Sequence, residues 1–88
     1  MHLSDKDLAV LHILEHIEEY GTISKASEAV GIPASTGRMY ISNVEKEIGK
    51  DILDSKPFEG STITPTGRKL IKYYRKAEKY LEKLQRKL

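Results

Sequence analysis

Apolar positions along the chain fall into helical stripes broken by glycine and proline. Val10, Ile13, Leu14 and Ile17 recur at helical spacing, which predicts a first helix that supplies the core. Ser4 and Asp7 have the form of a capping box at its start, and Gly21 ends it. Thr22 or Ser24 can cap a second, short helix in which Ala26, Ala29 and Val30 are small or apolar and suit close packing. Gly31 closes that helix, because few other residues tolerate the positive φ of so abrupt an end. Pro33, with a fixed φ and no amide donor to lose, suits the start of a third helix running to about Gly49. Within it Gly37, Ile41, Val44 and Ile48 are spaced four, three and four, an inward stripe on which Gly37 permits close approach of another helix.

Beyond Gly49 the pattern changes. Ile52-Leu53 and Ile63-Thr64 flank Pro57, Phe58, Glu59 and Gly60, which reads as a small hairpin with a loose tip. Thr64-Pro65 then starts a last helix, with Thr as N-cap and Pro at the first helical position. In that helix Leu70, Tyr74, Ala77, Leu81, Leu84 and Leu88 follow spacings of four, three, four, three and four, a heptad seam that Tyr73 and Tyr80 can widen. Some 24 residues of helix span about 36 Å, longer than so small a domain can cover, so the seam is expected to pair with a second copy. The order helix, helix, helix, hairpin, helix describes a winged helix-turn-helix. The expected class is mainly α (α+β), with a small two-stranded wing and a long C-terminal dimerisation helix. Residues 1–64 are assigned to the winged unit and 65–88 to the helix.

Composition narrows the chemistry. The 88 residues allow one small domain with a thin core and leave little room for a buried enzyme pocket. Without cysteine there is no disulfide framework, thiolate nucleophile or thiolate metal site. Leu8 to Ile17 is interrupted by His12, Glu15 and His16, and no run reaches membrane-spanning length, so a cytoplasmic protein is expected. The net charge of +2 hides a strong division. Residues 1–20 hold one basic and five acidic side chains, residues 21–64 hold five and six, and residues 65–88 hold nine and two. Polarised charge of this kind accompanies nucleic-acid contact, although a solvated lysine-rich helix face has the same look.

The tight unit from Thr22 to Gly49 is how small proteins place a helix in a DNA groove. Its third helix starts at Ala34 and leaves Ser35, Thr36, Arg38, Met39, Ser42, Asn43 and Lys46 off the inward stripe. Arg38 can fork onto guanine O6 and N7, Asn43 can pair with adenine or a phosphate, the hydroxyls can bond to either, and Met39 can touch a thymine methyl. Lys25 and Lys46 are expected at phosphates, and Lys56 is the only basic residue of the wing. A rival chemistry is carried by His12-Ile13-Leu14-Glu15-His16, the H-x-x-E-H order of inverted zinc peptidases. A catalytic zinc needs a third ligand and a cleft, and only His2 and scattered carboxylates are on offer, so no enzyme and no metal are expected. No phosphate-cradling glycine loop or nucleophile elbow is present.

From Ile23 to Leu53 the run Ile-Ser-Lys-Ala-Ser-Glu-Ala-Val-Gly-Ile-Pro, followed by Ile41, Val44, Glu45, Glu47, Ile48-Gly49 and Ile52-Leu53, resembles the DNA-binding domain of LysR-type regulators without a gap. Gly31-Ile32 and the second helix are also similar to the N-terminal domain of the molybdate-responsive ModE regulators. Thr64-Pro65-Thr66-Gly67-Arg68 is similar to the start of the linker helix in both. The chain departs from the LysR pattern where Pro33 replaces a capping Ser and Ala34-Ser35 replaces Gln-Pro. Met39, Ser42 and Asn43 stand where that recognition helix carries arginines, so base contacts carry over by position and not by identity.

The combined expectation is a sequence-specific, double-stranded-DNA-binding transcriptional regulator, a homodimer on a pseudo-palindromic operator with helix 34–48 in the major groove. With no effector region in the sequence and no cofactor expected, steric repression is the simplest mechanism. The alternative is a winged helix used for protein contact without sequence-specific DNA binding.

Overall fold

A computed structural model describes residues 3–56 and 60–88; the expected hairpin tip Pro57-Phe58-Glu59 and His2 lie outside the described residues. Ser4 accepts from the Asp7 amide while Asp7 accepts from the Ser4 amide, both at 3.2 Å, and this reciprocal cap opens α1 (Asp5–Tyr20). Thr22, not Ser24, caps α2 (Ile23–Val30) by accepting from the Lys25 amide. At the corner Gly31 has φ +91°, where a side chain would strain the backbone, and the chain enters α3 (Ala34–Ile48) with Pro33 as N-cap, one position earlier than the first helical turn.

The core is built around α1, whose Val10, Leu11, Ile13, Leu14 and Ile17 are almost wholly buried. Ala26, Ile41, Val44, Ile52 and Ile71 close on them from the other elements. Two sequence expectations are corrected here. Ile48, placed on the inward stripe of α3, is 41% exposed, at the last helical position before the Gly49 cap. On α2 Ala26 is fully buried as expected and Val30 packs against the core, but Ser27 is fully buried beside Ala26 and Ala29 is exposed. Gly37 lies directly on Ser27: a Cβ there would collide with the Ser27 hydroxyl and stand 3.1 Å from its Cβ. The Ser27 side chain thus packs straight onto the Gly37 backbone where α2 and α3 cross.

After α3, the Ile52 amide donates to Glu45 Oε2 at 2.9 Å, which ties the exit loop to the helix it leaves. Strands β1 (Leu53–Lys56) and β2 (Gly60–Ile63) pair antiparallel, Leu53 opposite Ile63 and Ser55 opposite Ser61. The wing is fixed to the helical body where the Ser61 amide donates to the Gly21 carbonyl at 2.8 Å. Thr64 caps α4 (Pro65–Lys87) through the Gly67 amide, with Pro65 in the first turn as expected. Helix α4 runs back along α1. Arg68 pairs with Glu18 at 2.8 Å, Arg75 with Glu15 at 2.9 Å, and His12 with Glu78 at 3.2 Å. Tyr74 donates to Asp7. No helix among the described residues is long and apolar enough to cross a membrane.

Candidate nucleic-acid interface

With Gly37, Ile41 and Val44 buried, the helical period turns Ser35, Met39, Ser42 and Lys46 into one outward line at spacings of four, three and four. All four are exposed, Met39 by 52%. Thr36 and Asn43 form a half-buried edge of this face, and Ala34 is half-buried at its start. Arg38 is exposed on the opposite edge, where its Nη2 donates to Ser24 Oγ at 2.7 Å. No side chain caps α3, and its first turn holds no acidic residue. The leading amides are therefore open to an anion with the positive end of the helix dipole behind them.

Arg38 also borders a depression in front of the wing. Thr22, Ile23, Arg38, Ser55, Lys56 and Ser61 line a shallow concavity of about 200 Å³ between α2, α3 and the hairpin. Ser55 and Ser61 face each other across the strands, their hydroxyls 2.8 Å apart. Arg38 and Lys56, assigned separately to base and wing contact, thus share one depression. Sequence reasoning missed Thr22, Ser55 and Ser61 there, and Ser24 as the partner of Arg38. Strand alternation carried part of the signal, because residues opposite in register share a sheet face. Lys25 is exposed in the first turn of α2. Lys25, Arg38, Lys46 and Lys56 have no carboxylate partner among the described residues.

The histidine pair is occupied otherwise. The two ring nitrogens of His12 approach Glu15 and Glu78 at 3.3 and 3.2 Å, while His16 donates through Nδ1 to the His12 carbonyl at 2.6 Å and stacks on Tyr20. Among the described residues no group of three side chains could hold a metal ion. Of the predicted seam on α4, Leu70 and Tyr74 pack against the protomer's own core and Ala77 is fully buried. Leu81 is half-buried and Leu84 is 42% exposed. Tyr73, Tyr80 and Leu88 add exposed apolar surface on the same flank as Leu84. Burial, followed by the neighbouring Asp7 carboxylate, pushes the Tyr74 hydroxyl above its usual range.

These features define a winged helix-turn-helix with an outward polar third helix and a long closing helix. No family model and no curated protein matches the sequence. Solved structures do match in shape. The full-length LTTR LysG from Corynebacterium glutamicum superposes with a TM-score of 0.76 at 18% identity, over 98% of this chain and 28% of that one. A LysR family transcriptional regulator gives 0.77 at 22% identity, over 100% of this chain and 29% of that one. A transcriptional regulator of the LysR family from Eggerthella lenta gives 0.63 at 14% identity, over 83% of this chain and 99% of that one. The chain thus has the fold of a LysR-type winged helix domain and spans under a third of the length of the first two structures.

Proposed function

We propose that the chain is a sequence-specific, double-stranded-DNA-binding transcriptional regulator, with α3 as the helix that enters the major groove. The observation that carries this reading is the outward line Ser35, Met39, Ser42 and Lys46 on a helix whose N-terminus is uncapped. Its short hydroxyls and thioether let the helix lie close to base edges, and the open amides offer donors to a phosphate at its leading end. Lys25, Arg38, Lys46 and Lys56 supply cations around that line. The shared shape of the LysR-family regulators favours the same use of the fold.

A nearly neutral recognition unit needs a second copy for tight binding. The homodimer is assigned to α4, where Tyr73, Tyr80, Leu84 and Leu88 leave apolar surface exposed beside Leu81. Leu70, Tyr74 and Ala77 of the predicted seam contribute by holding that helix on its own protomer. Two recognition helices would then lie about one DNA turn or a multiple apart, on a pseudo-palindromic site. Occupancy of such a site at a promoter represses by exclusion.

Selection of bound duplexes from random DNA tests the reading. A symmetric enriched motif is expected, with affinity falling on the order of 10³-fold or more between 50 and 200 mM salt. Failure to enrich any sequence overturns it and leaves the protein-contact alternative.

A further inference from the structure

A second surface lies away from α3. On α1, Lys6 and Ile13 face α3, whereas Asp7, Glu15 and Glu18 face α4. Between α1, α4 and β2 runs an open groove of about 540 Å³. Its floor is the half-buried Ile63, with the core residues Ile71 and Leu14 behind it. Arg68 and Arg75 cross it as struts to Glu18 and Glu15. Lys72, Lys76 and Lys79 stand along its α4 side, exposed and without a carboxylate partner among the described residues.

We propose that this groove docks an acidic amphipathic segment of a partner protein. Charge complementarity selects the occupant. The three lysines form a cationic edge for a row of carboxylates, and the apolar floor and aliphatic stems of the basic residues accept one face of apolar side chains. Carboxylates of the segment meet Lys72, Lys76 and Lys79, while Arg68 and Arg75 keep their pairs with Glu18 and Glu15. A nucleic-acid backbone fits worse, because it brings no row of apolar side chains to the floor and the floor offers phosphates no donors. At about 100° per residue, Ile71 and Arg75 lie about half a turn around α4 from Tyr80 and Leu84. Pairing of α4 through those residues therefore leaves the floor open, with Lys76, about 40° from Tyr80, the lysine nearest the seam.

The test titrates the isotopically labelled full chain with a synthetic helical peptide of Glu and Leu, its leucines on one stripe, and follows amide shifts. Shifts at Leu14, Ile63, Ile71, Lys72, Lys76 and Lys79 are expected. A variant carrying Lys72→Glu, Lys76→Glu and Lys79→Glu, exposed positions whose change leaves the fold intact by circular dichroism, should bind at least about tenfold more weakly. Replacing the peptide's leucines by serine should weaken binding comparably. The proposal is overturned by absence of shifts in the groove, by equal binding of the serine peptide, or by duplex DNA displacing the peptide from these same residues. None of these readouts depends on DNA recognition by α3.

Discussion

The Tyr74 hydroxyl donates to Asp7 Oδ1 at 3.2 Å, and the other oxygen of the same carboxylate accepts from the Ser4 amide. One acidic side chain therefore closes the cap of α1 and anchors α4 against it. Burial and Asp7 both favour the neutral phenol, so its folded pKa lies above the ordinary value of about 10. Below that pH the hydroxyl is neutral in both states and its contribution is complete. Above it the unfolded chain ionises while the folded chain keeps its proton, so stability falls as pH rises. Tyr74→Phe should cost about 1 kcal/mol near neutral pH and flatten the decline in stability above about pH 10. Urea unfolding at both pH values checks this; an unchanged alkaline slope would assign the decline to other groups.

Ser27 is buried to 0% exposure, and its hydroxyl has no hydrogen-bond partner among the described residues. It is also the group that a Cβ at Gly37 would strike. Gly37→Ala should destabilise by about 1 to 3 kcal/mol through overpacking. Ser27→Ala removes an unsatisfied polar atom and should be neutral or stabilising. The two together should recover part of the loss, because the remaining contact is with the Ser27 Cβ at 3.1 Å. Additivity in a double-mutant cycle would show that this crossing is not limited by that pair.

The ends of the elements were legible because each rests on local chemistry. Ser4 with Asp7, Gly31 and the Thr64-Pro65 pair act within a turn of their own position and appear in the structure as the sequence implied, and Thr22 is the one used of the two caps the sequence allowed for α2. The polar face of α3 followed from the period once its inward stripe was identified. What the pattern left open depends on contacts distant in sequence. The heptad on α4 does not say which copy its apolar residues meet; Leu70 and Tyr74 pack on the protomer's own core and Ala77 is fully buried. Likewise Arg38 meets Ser24, fourteen positions away, only through the crossing of α2 and α3.

Arg38 and Lys56 share the concavity beside Ser24, and their removal should separate two kinds of DNA contact. Lys56→Ala should weaken binding to all sequences alike and lower the salt slope by about 1. Arg38→Ala should cost about 1 to 3 kcal/mol and relax preference at one base pair. If Arg38→Ala leaves specificity unchanged, the guanidinium stays with Ser24 and the phosphates, and base reading rests on Ser35, Met39 and Ser42. Binding isotherms on the selected site and on single-base variants, at several salt concentrations, distinguish these outcomes.

Leu84 gives the sharpest test of pairing through α4. It is 42% exposed and lies beyond the ion pairs that fix the helix to α1, so a charge there leaves the core untouched. Tyr80 precedes it by one helical turn on the same flank and is 57% exposed. In a dimer joined along that flank, Leu84→Glu places two like charges in an apolar seam, where each loses its water without gaining a partner. Sedimentation should report a monomer with unchanged helicity, and operator affinity should fall sharply because one recognition helix is left to bind alone. Leu81→Glu should give the same dissociation with some loss of stability, since that residue is half-buried on its own protomer. A Leu84→Glu protein that sediments as a dimer would move the interface off this flank of α4.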